Sequence, residues 1–128
     1  MENKKVSLTE AEWEVMECLW ERAPRTGRET VLWMEQRIGW TRSTTLTMLR
    51  RLENKGAIAS DADGEMKTFR PLIAREEVAV QETADLLDRA YKGSLSLLVS
   101  SFTKRQSLSQ KEIDELYAIL QEMEVKND

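Results

Sequence analysis

The stretches Thr9-Glu10-Ala11-Glu12 and Thr26-Gly27-Arg28-Glu29 both spell a capping box, and this pair of signals constrains the fold more than anything else in the chain. In such a box the threonine hydroxyl accepts from the amide three positions on, while the glutamate reaches back to the threonine amide, so a helix start is set locally. The first box opens an apolar stripe of Trp13, Met16 and Trp20 flanked by Val15 and Leu19. Leu8 is placed to staple against Trp13, and Pro24 ends the helix. The second opens a helix carrying Val31, Met34 and Ile38, widened by Leu32 and Trp33 and stopped by Gly39 in the C′ position. Thr41 caps a third helix running to about Lys55 and closed by Gly56. Its wheel is two-sided. Leu46, Leu49 and Leu52, with Met48 at the edge, face inward, whereas Ser43, Thr44, Thr47, Arg50, Arg51 and Lys55 face outward, with Arg42 at the first turn.

After Gly56 the pattern changes to strand. Ala57 to Ser60 and Met66 to Arg70 flank a turn over Asp61-Ala62-Asp63-Gly64, and Asp-Gly between two extended runs signals a hairpin. Pro71 cannot donate to a central ladder, so the second strand ends there or lies at an edge. From Glu76 to Tyr91 the spacing is helical again. Gly93 breaks that helix, Ser94 can cap, and Leu95, Leu97, Leu98, Val99 and Phe102 form a short, strongly apolar segment. Ser109-Gln110-Lys111-Glu112 is a third capping box, stapled by Leu108 and Ile113. It is followed by the stripe Ile113, Leu116, Tyr117, Leu120 and Met123. The fold class expected is mainly α with a small β-hairpin: a winged helix-turn-helix over residues 1–73, then an α-helical dimerisation region over residues 74–128. The last three segments hold too little sequence for a domain that folds alone, so a second copy of the chain is the economical partner. Tyr91, Leu95, Leu98, Phe102, Ile113, Leu116, Tyr117 and Leu120 are the residues expected at that homodimer interface.

Composition narrows the function classes. The 128 residues contain no histidine and one cysteine, Cys18, which removes Ser-His and Cys-His catalysis, an intrachain disulfide and most zinc sites. No metal, cofactor or catalytic residue is expected. Carboxylate pairs such as Glu10 and Glu14 sit on an exposed helix start, where solvated charge is the ordinary role. Apolar runs such as Leu97-Leu98-Val99 are far too short to span a membrane, none exceeding four residues, and a cytoplasmic location is expected. The net charge of −4 conceals an asymmetry. Bases exceed acids by five from Arg22 to Arg75, and acids exceed bases by five from Glu76 to the end. One half is therefore suited to a polyanion.

A helix lying in a major groove needs short polar and basic side chains near its N-terminal end, so that the backbone can approach the base edges. Thr41-Arg42-Ser43-Thr44-Thr45-Leu46-Thr47 meets that need. Serine and threonine crowd ordinary helix starts as caps, but they form helix poorly beyond the cap, and here they continue well past it. Double-stranded DNA is the partner that this pattern implies. The competing interpretation is a winged helix whose basic face meets an acidic protein, without DNA.

Taken in order, these residues resemble the penicillinase-repressor family of BlaI, MecI and CopY type. The likeness is carried by Leu8 to Met16 with Leu19-Trp20, by Trp40-Thr41 through Thr44, and by Thr47-Met48-Leu49-Arg50-Arg51-Leu52. It continues through Lys55-Gly56-Ala57, Phe69-Arg70-Pro71, Tyr91-Lys92-Gly93-Ser94, Leu108-Ser109 and Glu112 to Leu116. The resemblance implies a dimeric repressor on a palindromic operator, with DNA contacts at Ser43, Thr44, Thr47 and Arg51, joined by Arg42 and Arg50; Lys55 on the same helix face and Lys67 on the wing are expected to add contacts. Relatives controlling β-lactam resistance are inactivated when a membrane-bound sensor protease triggers cleavage before a Phe in the dimerisation region. The matching bond here is Ser101–Phe102. Two departures stand out. The hairpin tip, usually basic, reads Asp61-Ala62-Asp63-Gly64-Glu65, leaving Lys67 and Arg70 to compensate, and the cysteine-rich metal site of the copper-responsive members is missing.

Overall fold

The computed structural model describes residues 6–127, the side chain of Asp63 excepted. Both amino-terminal capping boxes form as the sequence dictates. Thr9 accepts from the Glu12 amide at 3.1 Å and Glu12 returns the bond at 2.8 Å, opening α1 (Glu10–Glu21). Thr26 and Glu29 do the same at 3.0 and 2.9 Å for α2 (Gly27–Ile38). The helix α3 (Arg42–Lys55) starts with Thr41 accepting from the Thr44 amide. Gly39 and Gly56 end α2 and α3 at φ 72° and 81°, a left-handed conformation that costs glycine least.

The hairpin joins β2 (Ile58–Asp63) to β3 (Met66–Pro71). It is tighter than the sequence suggests: Asp63 pairs with Met66, so the strands run on through Asp61-Ala62-Asp63 and the turn holds only Gly64 and Glu65. A third strand, β1 (Arg25–Thr26), pairs antiparallel with Phe69 and Thr68, giving the order β1-β3-β2. Sequence reading finds no strand there, because two residues carry no alternation. Pro71 lies at the end of the central strand, where its missing amide costs nothing.

Three helices and this sheet enclose one core of Val15, Met16 and Leu19 from α1, Met34 from α2, Leu49 and Leu52 from α3, and Ala57, Ile58 and Phe69 from the hairpin. Each fully buried Leu, Ile or Met stabilises the unit by roughly 1.5–3 kcal/mol. The tryptophans pack against this core, as expected. Trp13 and Trp20 meet edge to face at 5.2 Å, and the Trp20 indole donates to the Ile73 carbonyl at 2.9 Å. Cys18 is wholly buried, and burial pushes its thiol up to about 11. The arrangement is a winged helix-turn-helix.

The first compact unit extends to Thr83, past the boundary expected at residue 73, because Val78 on α4 (Arg75–Tyr91) is 3% exposed and joins the core. The second unit, from Ala84, comprises the rest of α4 with α5 (Leu95–Arg105) and α6 (Gln110–Asn127). Lys92 and Gly93, at φ 51° and 82°, turn the chain between α4 and α5, and Ser94 caps α5. Ser109 accepts from the Glu112 amide at 3.1 Å, one of the two bonds of the expected third box. Neither α5 nor α6 contains a buried residue. Leu95, Leu97, Phe102, Tyr117, Ile119, Leu120 and Met123 are all about half exposed or more. Among the described residues no helix is long and apolar enough to cross a membrane.

Candidate nucleic-acid interface

The helix α3 buries Leu49 and Leu52 and presents Arg42, Ser43, Arg50 and Arg51 to solvent, with Thr44 and Thr47 half-buried at the border. Thr45, a member of the hydroxyl-rich stretch but not of the outward face, is turned inward. It is fully buried, and its hydroxyl has no hydrogen-bond partner among the described residues. The Thr44 hydroxyl lies 3.0 Å from that of Thr41, so cap and outer face share a hydrogen bond.

Counting charges overstates what is available to a polyanion. Seven of the eleven bases between Arg22 and Arg75 are engaged inside the fold. Arg22 meets Glu29 at 3.0 Å, Arg37 meets Glu14 at 3.5 Å, Arg70 meets Asp61 at 2.8 Å, and Arg75 pairs with Glu17. Arg25 is 6% exposed: its Nε donates to the carbonyls of Cys18 and Arg22, both at 3.0 Å, closing the end of α1. Lys67 stands 3.7 Å from Glu53 and over the Phe69 ring. Lys55 is the clearest departure. The sequence places it outward as a DNA contact, whereas its ammonium donates to Glu12 Oε1 at 2.6 Å and to the Ser7 carbonyl at 2.8 Å. Burial by itself would raise the Glu12 pKa. The Lys55 bond and charge, with the Thr9 amide, outweigh burial and hold the carboxyl below its ordinary range.

The other four of these eleven bases make no ion pair among the described residues: Arg28, Arg42, Arg50 and Arg51. Three of them lie on the outer face of α3. Within the basic stretch, the helix that the sequence marks for DNA therefore carries three of the four uncommitted bases, beside Ser43, Thr44 and Thr47. Arg28, exposed in the first turn of α2, was not singled out by sequence. The signal that finds it is the lack of an internal partner, which only the structure reveals. Among the described residues no cluster of His, Cys, Asp and Glu side chains is arranged to hold a metal ion.

A family model described as penicillinase repressor matches residues 8–122. The chain belongs to the penicillinase-repressor family. The penicillinase repressor of Bacillus licheniformis is 32% identical to it, over 93% of this chain and 94% of its own. The methicillin resistance regulatory protein MecI of Mammaliicoccus sciuri is 29% identical, over 94% and 98% respectively. The fold agrees. The solution structure of the DNA-binding domain of the repressor BlaI, 29% identical, covers 59% of this chain and 93% of that one at a TM-score of 0.53. A solution structure of monomeric Bacillus licheniformis BlaI in complex with the blaP half-operator, 28% identical, covers 56% and 88% at 0.51.

The proposed dimer-interface residues all fall in the second unit. Tyr91 ends α4, Leu95, Leu98 and Phe102 lie on α5, and Ile113, Leu116, Tyr117 and Leu120 lie on α6. Leu95, Phe102, Tyr117 and Leu120 are 49–64% exposed and the other four are half-buried. The Ser101–Phe102 bond sits inside α5, not in a loop, and the Ser101 hydroxyl lies 3.4 Å from that of Tyr91.

Proposed function

We propose that this chain is a DNA-binding transcriptional repressor that acts as a homodimer on a palindromic operator in the cytoplasm. The observation that carries it is the outer face of α3, where Arg42, Arg50 and Arg51 make no ion pair among the described residues, beside the short hydroxyl side chains of Ser43, Thr44 and Thr47. Short side chains let the helix backbone approach base edges, arginine suits guanine O6 and N7, and a threonine methyl suits thymine. The amino-terminal unit reads DNA and the helices of the second unit join two copies, so two α3 helices enter successive major grooves about one helical turn apart. The paired Lys55 and Lys67 support the fold around that face.

Control by cleavage at Ser101–Phe102 suits this architecture. A dimer holds its second half-site intramolecularly, which strengthens binding about a hundredfold or more. Severing α5 separates α6 from its own chain, and each half falls back to its weak single-site affinity. A protease needs extended backbone, so α5 must open locally around this bond. Duplexes selected from a random pool test the DNA-binding reading. A palindromic consensus bound with steep salt dependence is expected, and indifference to duplex DNA contradicts it. Co-expression with a β-lactam-sensing membrane protease, followed by mass spectrometry, tests the switch. Fragments ending at Ser101 and starting at Phe102 are expected, and derepression with the chain intact rules the switch out.

A further inference from the structure

We infer that this chain holds the DNA backbone beside its recognition helix through Arg28, at the start of α2, and that its wing is electrostatically closed to phosphate. The inference rests on the DNA-binding reading above and assigns a contact within it.

The wing offers no uncommitted cation among its described side chains. The Arg70 guanidinium is neutralised 2.8 Å away by Asp61 of the same hairpin. Lys67 is held between Glu53 of α3 and the Phe69 ring. Glu65, in the turn, is exposed and has no ion-pair partner among the described residues. A phosphate approaching this tip meets a free carboxylate and no free base.

The start of α2 has the opposite character. A Cβ built on Gly27 would stand 3.7 Å from Phe69 Cε2 and 3.9 Å from Leu46 Cδ2, so this turn lies against both α3 and the base of the wing. The pairing of Thr26 with Thr68 fixes it there. Arg28 follows directly and is exposed. Its acidic neighbour does not consume its charge, because Glu29 is taken up by the Thr26 amide at 2.9 Å and by Arg22 at 3.0 Å. A cation in the first turn opposes the helix dipole, so Arg28 gives α2 nothing by itself. An external phosphate reverses that sign, since the arginine and the dipole then attract the same anion.

The test uses the full chain and a fluorescent mixed-sequence duplex of about 30 base pairs, titrated at several salt concentrations. Arg28→Ala is expected to weaken binding several-fold and to reduce the salt slope by about 0.9 per bound chain, with Arg28→Lys restoring most of both. The paired replacement Asp61→Asn with Arg70→Gln is expected to leave the slope unchanged, and Glu65→Lys to tighten binding several-fold. Wild-type binding with Arg28→Ala unaltered, or a slope reduced by the Asp61/Arg70 pair, overturns this assignment alone. No binding of the unaltered chain to any duplex overturns the DNA-binding reading together with it.

Discussion

The Nζ of Lys55 lies 2.6 Å from Oε1 of Glu12, joining the last turn of α3 to the first turn of α1. The same carboxylate oxygen accepts the Thr9 amide, so one glutamate caps its own helix and anchors another. Glu12 is 1% exposed and the Lys55 side chain 38%. The pair therefore sits at the edge of the core, with its anion inside and its cation reaching in from solvent.

Lys55→Ala is accordingly expected to destabilise the fold rather than to remove a DNA contact. Breaking a buried pair costs about 3–5 kcal/mol, and solvent screening at Lys55 brings the expected loss to roughly 2 kcal/mol. Urea denaturation measures it. The salt slope of duplex binding stays at the wild-type value where the variant is folded, and a slope lowered by about one unit would return Lys55 to the DNA face.

Acid should weaken the amino-terminal unit through the same carboxylate. Glu12 titrates below its ordinary value of 4.5 in the folded chain, and so does Glu29, held down first by the Thr26 amide and then by Arg22. A depressed folded pKa stabilises above the unfolded pKa, and that contribution is lost as pH falls through the folded value. The urea midpoint should hold from neutrality to about pH 5 and drop below about pH 4.5. In Glu12→Gln the drop should be shallower, and an unchanged profile would remove Glu12 from the account.

Thr45→Val distinguishes the two faces of α3. The valine keeps the shape and removes a buried hydroxyl without a partner, so stability should rise by about 1 kcal/mol with sequence preference unchanged. Ser43→Ala and Thr47→Ala should do the reverse, leaving stability within about 0.5 kcal/mol and altering base preference. Selection from a random duplex pool, with thermal melts, checks all three. A new preference in Thr45→Val would place that residue on the DNA.

Leu120→Asp should dissociate the proposed homodimer while leaving each chain folded, because Leu120 is 52% exposed within the single chain. A charge without a partner in an apolar interface costs several kcal/mol. Sedimentation equilibrium at tens of micromolar should show twice the chain mass for the wild type and the single mass for the variant. A wild type that sediments as a monomer contradicts the dimer.

The helical frame of this protein is determined by its sequence alone, because what sets each helix end lies within a few positions. Thr9 with Glu12, Thr26 with Glu29, Thr41 with Thr44, and the glycines at 39 and 56 all act over one turn. The stripes of α1, α2 and α3 follow from the same local periodicity, and with the hairpin signal they suffice for the winged helix and for the face that would meet DNA.

Tertiary structure alone decided which charges are free. Arg25, Lys55 and Arg70 count as positive surplus in the sequence, yet each is consumed by groups brought close by folding: a helix end, a carboxylate on another helix, and an acid across a hairpin. The strand β1 is invisible for the same reason, since two residues become a strand only when Phe69 and Thr68 arrive beside them. Local hydrogen bonding and periodicity are written in neighbouring letters. Electrostatic pairing depends on distance in space, which the order of residues sets only after the chain has folded.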